Sequence, residues 1–151
     1  MPNLLFLAPC EKVIIDQNNA SSIIAILEEV KIQVVSGVAI PLGMVVPMQW
    51  AVVTLWEQSS AYETGRTFEQ RTVLVSSSGK HLIESIGQFA FDDKRPRMRV
   101  VNQIVGMPIS EPGPHKIKIW IREQAVEPKE WKEIATFPLM IELQQPPSSL
   151  N

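Results

Sequence analysis

Prolines and turn residues divide this chain into short apolar segments, and that division constrains its fold more than any other feature. The sequence contains 12 prolines and 7 glycines in 151 residues. The prolines stand between apolar runs, where a residue without an amide hydrogen ends a strand or a helix. Segments of this length predict many strands joined by turns, and they argue against a few long helices.

The clearest period-two pattern is HKIKIWIRE, at positions 115–123. Successive residues of a strand point to opposite faces, so the three isoleucines of this segment share one face and are expected in the core. That face consists of Ile117, Ile119 and Ile121. The segment MQWAVVTLWE (48–57) has apolar residues on both faces, which is typical of a central strand.

Four further segments have strand-like patterns, at 66–75, 81–91, 97–105 and 131–143. We expect the first of them to form an antiparallel hairpin with 48–57, and Pro138 to lie on a sheet edge or at a bulge. The segment 18–35 is ambiguous between strand and helix. Its apolar residues are mostly β-branched, which favours strand.

These segments predict an all-β fold, specifically an immunoglobulin-like antiparallel β-sandwich of about seven or eight strands. A length of 151 residues fits one domain, which we place at 1–144, followed by a flexible tail at 145–151. The net charge of −2 provides no positive field, so neither nucleic acid nor a membrane surface is an expected partner.

The N-terminal stretch LLFLAPCEK imitates an export or lipoprotein signal. Its apolar run is shorter than the roughly 7 to 15 residues that such a signal needs, and no basic residue precedes it. We therefore interpret it as an edge strand interrupted at Pro9, with Cys10 packed in the interior. A lone cysteine excludes an internal disulfide and favours a reducing compartment, so we expect a cytoplasmic protein.

No motif for a phosphate-binding loop, a nucleophile or a metal site is present, and we expect no enzyme activity, no metal and no cofactor. The alternative is a small hydrolase or transferase that uses His81, His115, Asp92 or Asp93. A solvated turn with compensating charges explains the two aspartates more simply. A shared acid–base role would also require two of these side chains to lie within hydrogen-bond reach.

Three segments are candidates for binding. The polar face of HKIKIWIRE is the first, and it consists of Lys116, Lys118, Trp120 and Arg122. A tryptophan among cations is typical of binding hot spots and of sugar stacking, although the lysine and arginine stems could instead pack over the indole. A weaker candidate for polyanion binding, or else a charged strand edge, consists of Lys94, Arg95, Arg97 and Arg99. The apolar loop 36–47 is a candidate contact surface, for example in a dimer.

The N-terminal run CEKVIIDQNNASSIIAILEEV resembles the start of a family of small bacterial proteins of unknown function, and the similarity continues through PMQWAVVTLWE and GPHKIKIWI. The resemblance implies a bacterial, mostly β, sandwich-like domain, and it brings no catalytic residues. Together with the residues, it leads us to expect a non-catalytic binding or assembly module that self-associates or binds a protein partner. A carbohydrate-binding module centred on Trp120 stays open as an alternative, and no particular small-molecule or sugar ligand is indicated.

Overall fold

The structure is a computed structural model, and it describes residues 1–35, 37–41, 43–127 and 130–145. Its strands within these ranges are β1 (Asn3–Ile15), β2 (Ser21–Ile26), β3 (Glu29–Gln33), β4 (Met44–Glu57), β5 (Thr67–Val75), β6 (His81–Ala90), β7 (Arg97–Ile109), β8 (Gly113–Glu123) and β9 (Lys132–Gln144). A short 3₁₀ turn at Ala61–Glu63 is the only helical element in the described residues. The all-β prediction is confirmed, with nine described strands where about seven or eight were expected. The predicted flexible tail, from 146 onward, lies outside the described residues.

The strands form two sheets, with the orders β2-β1-β4-β7 and β3-β9-β8-β5-β6. All pairs are antiparallel except β3 with β9, which is parallel. The inner faces of both sheets contribute to one apolar core, in which Trp50 and Trp56 of β4 are buried with the three isoleucines of β8. The arrangement is therefore sandwich-like, and the predicted core face of β8 is confirmed.

The predicted hairpin between 48–57 and 66–75 is wrong, because β4 and β5 lie in different sheets. β1 and β7 occupy the two edges of β4 from Ala51 to Glu57, so this part of β4 has no free edge for β5. The chain crosses between the sheets through residues 58–66. β5 instead forms a hairpin with β6, through a turn in which Gly79 has a φ of +87°, a conformation that glycine adopts without strain.

β1 is an inner strand, which corrects the expectation of an edge strand interrupted at Pro9. Its first part pairs with β4 as far as Cys10, and its second part pairs with β2. Pro9 does not interrupt it, because the carbonyl oxygen of Pro9 accepts a hydrogen bond from the amide of Leu27 at 2.9 Å. A proline is tolerated where the ladder uses its carbonyl rather than its missing amide.

The β1–β2 hairpin leaves β4 and reaches across to β7. At its tip, the Arg99 guanidinium of β7 donates hydrogen bonds to the backbone oxygen and Oδ1 of Asn19, at 3.2 and 2.9 Å. A small apolar cluster lies between the hairpin and the outer face of the sheet, and its buried members are Cys10, Ala51 and Val53. The hairpin therefore covers part of this face.

The ambiguous segment 18–35 is strand, which confirms the preferred prediction and excludes the helix. It is divided into β2 and β3, which belong to different sheets. The switch occurs at Leu27 and Glu28, whose backbone groups bond to Pro9 of one sheet and Met140 of the other. The β-branched residues of this segment form extended structure, as their propensity predicts.

Pro138 does not lie on an edge strand, because β9 runs between β3 and β8. However, β3 pairs with β9 only from Met140 onward. Pro138 therefore has a strand neighbour on one side alone, where it is paired with Lys116 of β8. This local edge accommodates the missing amide hydrogen. Pro138 therefore lies at an unpaired edge position, as predicted, although β9 itself is not an edge strand.

A buried polar network connects the two sheets inside the core. Gln70 of β5 accepts hydrogen bonds from Trp56 Nε1, at 2.7 Å, and from the hydroxyl of Thr54, both on β4. Its amide nitrogen donates to Thr72 at 3.0 Å, and Thr72 also accepts from Asn102 of β7 at 2.7 Å. Buried polar groups are tolerated when each finds a partner, so this network fixes the sheets in one relative position.

Candidate binding surfaces

Trp120 lies on the outer face of the five-stranded sheet, half-buried beside two cations. The guanidinium of Arg71 is 5.2 Å from the ring centroid, and Lys118 Nζ is 5.5 Å from it. Arg71 also binds both carboxylate oxygens of Glu84 at 2.9 and 3.0 Å, and Lys118 binds Glu133 at 3.0 Å. The two cations thus pack on the indole, as the simpler of the two sequence interpretations expects, and both are neutralised by carboxylates.

Arg122 belongs to a different group of side chains. Its guanidinium forms an ion pair with Glu69 of β5 and lies 4.2 Å from the ring centroid of Trp131. The face predicted from the sequence is therefore divided, because Lys116, Lys118 and Trp120 line one pocket to which Arg122 does not contribute.

The pocket beside Trp120 has a volume of about 430 Å³. Its floor includes Val75 of β5, and the register of the sheet places Lys116 of β8 on one side of Val75 and His81 of β6 on the other. Sequence reasoning missed His81 as a neighbour of Lys116 because it paired β5 with the wrong strand. The short SSSGK turn between 75 and 81 is the signal that would have found the contact, since it predicts a β5–β6 hairpin.

The rim of this pocket is a serine turn held by a carboxylate. Glu111 accepts hydrogen bonds from the hydroxyl and the amide of Ser78, at 2.6 and 2.8 Å, and the Ser77 hydroxyl donates to the carbonyl of Pro112 at 3.2 Å. Hydrogen bonding to Glu111 from the Ser78 hydroxyl, then from the Ser76 side chain and the Ser78 amide, lowers the pKa of Glu111 to about 2. The turn is therefore fixed to the loop that precedes β8.

The basic segment predicted as a polyanion candidate is largely paired within the chain. Arg95 donates to Asp92 at 2.7 Å, and Arg97 donates to Glu57 at 2.8 Å. Hydrogen bonding from Arg95 lowers the pKa of Asp92, while Arg99 holds the tip of the β1–β2 hairpin. β7 is an edge of its sheet, so this position also suits the alternative of a charged edge. Polyanion binding stays a prediction.

Cys10 is fully buried beneath the β1–β2 hairpin, as the sequence predicted. Burial raises the pKa of its thiol, and a hydrogen bond from the backbone of Lys12 opposes that rise only in part. The thiolate is the reactive form of cysteine. This thiol is therefore poorly suited to act as a nucleophile in the folded protein.

The histidines and aspartates of the alternative catalytic hypothesis are separated. His81 begins β6 while Asp92 and Asp93 follow its end, and ten residues of strand span about 30 Å. The alternation of β8 turns His115 into the core, where it is fully buried and its Nδ1 lies 3.0 Å from the carbonyl oxygen of Gly113. His81 and the two aspartates therefore lie too far apart to share an acid–base role.

A cleft lies where the two sheets meet beside β3, with a volume of about 490 Å³. One wall is β3, which pairs only with β9, and the other is the first part of β4, which β1 joins only from Ala51 onward. Among the described residues, the facing edges of these two segments have no strand partner. Leu27 and Ile32 of the core line the cleft, together with Met48, which is partly buried and packs against the core.

An apolar cavity of about 320 Å³ continues from this cleft into the loop before β4, and it is lined by Val35, Val38 and Ile40 among others. Val35 is 71 % exposed and Val38 is 62 % exposed, and Val45, at the start of β4, is 55 % exposed. We call the cleft together with these residues the seam surface. It includes most of the apolar loop that the sequence marked as a contact surface.

No group of three or more His, Cys, Asp or Glu side chains is arranged to hold a metal ion in the part of the chain that the structure describes. No helix in that part is both long and apolar enough to cross a membrane.

No protein-family model matches the chain, and no curated protein matches it in sequence. The resemblance to small bacterial proteins of unknown function therefore stays a prediction.

Proposed function

We propose that this protein is a non-catalytic binding and assembly module that associates with a second copy of itself through the seam surface. The observation that carries the proposal is the pair of unpartnered strand edges that face each other across a cleft with an apolar floor. Unpaired edges present free amide and carbonyl groups, which are the groups that an added strand binds.

The exposed valines next to the cleft support a protein partner over a small ligand. Three large apolar side chains, Val35, Val38 and Val45, are each more than half exposed in this region. Single exposed apolar residues are common on protein surfaces, but a group of them marks an interaction site. A stable homodimer buries about 800 Å² on each partner, far more than the cleft alone offers. The loop and the cleft would therefore have to be buried together.

The charged edges of β7 and β6 argue for this location. β7 carries Arg97 and Arg99 at its exposed edge, and β6 carries Glu84 and His81. Charged side chains on an edge oppose strand addition. The first part of β4, Met44–Trp50, carries no charged residue, whereas β3 carries Glu29 and Lys31. Of the two seam edges, the β4 edge is therefore the one that lacks this protection.

Sedimentation equilibrium across the micromolar range tests the proposal. We expect the wild-type chain to dimerise at tens of micromolar, and Val38→Asp to shift the equilibrium to monomer, since a carboxylate would be desolvated in the interface. Val126→Asp is the matched control, because Val126 is 42 % exposed in a different loop and should leave association unchanged. A wild-type monomer at these concentrations, or equal effects of the two substitutions, would overturn the proposal.

The finer assignment of the fold belongs to the same proposal. We infer an immunoglobulin-like sandwich, supported by the neighbouring order β9-β8-β5-β6, which matches the order of the larger sheet in variable-type immunoglobulin domains. A cytoplasmic, bacterial setting is supported only by the single cysteine, which is buried and unpaired, and by the resemblance noted above.

A further inference from the structure

We propose that the pocket between Trp120 and the serine turn binds a small ring compound that carries one carboxylate. This site lies on the outer face of the five-stranded sheet, which the seam surface does not include. Its volume of about 430 Å³ falls within the range of about 300 to 1,000 Å³ that is usual for small-molecule pockets.

The charge of the pocket selects the ligand. Arg71 and Lys118 are each neutralised, by Glu84 and Glu133. Among the described residues, no acidic side chain lies within ion-pair distance of Lys116, so the pocket has one uncompensated lysine. One free ammonium group balances one carboxylate, whereas a phosphate dianion would keep an uncompensated charge, and Lys116 lacks the bidentate geometry of an arginine.

The apolar surfaces of the pocket favour a ring in the part of the ligand that carries no charge. Val75 forms an apolar floor that is only 7 % exposed, and Pro114 and the indole of Trp120 add apolar walls. Ser77 and His81 place polar atoms at the margin. A flat ring laid on Val75 beside Trp120 would bury apolar surface and direct its carboxylate to Lys116.

The rim is preorganised. The Glu111 carboxylate accepts hydrogen bonds from the amide and the hydroxyl of Ser78, and the Ser77 hydroxyl donates one to the carbonyl of Pro112. The turn therefore needs no ordering when a ligand arrives, which lowers the entropic cost of binding. Two sources of ring carboxylate fit this chemistry, a sugar acid and an aromatic acid.

Titration of the full chain by isothermal calorimetry, with sodium glucuronate and sodium benzoate as separate probes, distinguishes the two sources. We expect saturable binding of one of them, and a loss of about tenfold in affinity in Lys116→Gln, the usual effect of losing one charge-assisted hydrogen bond. Lys12→Gln removes the same charge from the other sheet and should leave the affinity unchanged. Glucose and inorganic phosphate are the comparison ligands.

Fluorescence provides a second readout, since binding beside Trp120 should change its emission and the change should be absent in Trp120→Phe. Far-UV circular dichroism confirms that each variant is folded. Binding of neither carboxylate, equal affinity for glucose, tighter binding of phosphate, or equal affinity in Lys116→Gln would each overturn the proposal.

Discussion

Replacing Gln70 with leucine should lower the free energy of unfolding by about 2 to 3 kcal/mol, because buried donors lose their acceptor. Gln70 is fully buried, and its side-chain oxygen accepts hydrogen bonds from Trp56 Nε1 and the Thr54 hydroxyl. Leucine has a similar size, so the substitution removes the hydrogen bonds without opening a large cavity.

The size of this loss in unfolding free energy depends on which hydrogen bonds of the network remain in the variant. Trp56 Nε1 keeps a contact with the Thr54 oxygen at 3.1 Å, and Thr72 keeps its bond from Asn102 at 2.7 Å. The Thr54 hydroxyl therefore loses its only acceptor among the described residues, and the Trp56 indole loses the shorter of its two hydrogen bonds. A buried polar group left without a partner costs about 1 to 3 kcal/mol, and the added apolar contacts of leucine offset part of the sum.

Urea denaturation followed by far-UV circular dichroism measures the effect, and a double-mutant cycle with Trp56→Phe isolates its cause. Trp56→Phe removes the indole donor, so Gln70→Leu should cost about 1 to 2 kcal/mol less in that background than in the wild type. Gln103→Leu is the matched control, because Gln103 is exposed on β7, its side chain makes no hydrogen bond to the described residues, and its loss should cost less than about 0.5 kcal/mol.

Two results would refute this reasoning. If Gln70→Leu were as stable as the wild type, the network would contribute nothing beyond an apolar core of the same volume. If the effects of Gln70→Leu and Trp56→Phe were additive to within about 0.5 kcal/mol, the cost would arise from packing rather than from the hydrogen bond between the two side chains.

Three further predictions concern the backbone, the serine turn and the thiol. Gly106→Ala should destabilise the protein by about 1 kcal/mol more than Gly65→Ala in urea unfolding. Both glycines have a positive φ, but only at position 106 would the new Cβ lie 2.4 Å from the side chain of Val45, so equal costs would contradict the clash. Because the pKa of Glu111 lies near 2, below its ordinary value of 4.5, its contribution to stability is present above pH 4.5 and is lost as the pH falls towards 2. Glu111→Gln should therefore unfold in urea with a weaker acid dependence in that window, and identical pH profiles would argue against it. Cys10 should react with a thiol reagent only slowly until urea unfolds the chain, and fast labelling of the native protein would place the thiol at the surface.

The strands themselves were predictable because burial by alternation depends on local sequence alone. Ile117, Ile119 and Ile121 recur at every second position, and all three are buried. The two apolar faces of β4 likewise predicted a central strand, and β4 lies between β1 and β7. In both cases the information resides within ten consecutive residues.

The pairing of the strands was not predictable in the same way, because it depends on which edges other strands leave free. β4 and β5 are neighbours in sequence with a loop of suitable composition, yet β1 and β7 occupy both edges of β4 from Ala51 onward. Likewise, Pro9 was predicted to interrupt β1, because its hydrogen bond from the amide of Leu27 cannot be inferred from the neighbouring residues. Neither contact leaves a local mark in the sequence.

The candidate sites follow the same division. Alternation predicted that Lys116, Lys118 and Trp120 share the outer face of β8, and they line one pocket. The presence of His81 in that pocket, and the separation of Arg122 with Trp131, depend on cross-strand register and on which cation finds a carboxylate. The SSSGK turn indicates the position of His81 through the β5–β6 hairpin, whereas the sequence pattern carries no record of the separation of Arg122.

The buried thiol and the open seam have one structural origin. β1 pairs with β4 as far as Cys10 and then turns to pair with β2, so the hairpin covers the cluster around Cys10. If β1 had continued along β4, its backbone would have occupied the edge of Met44–Trp50, and the cleft would be closed. If β2 had not then crossed to the other sheet at Leu27, β3 would not form the opposite wall. The segment that resembled an export signal is therefore the element whose change of partner leaves the proposed association surface uncovered.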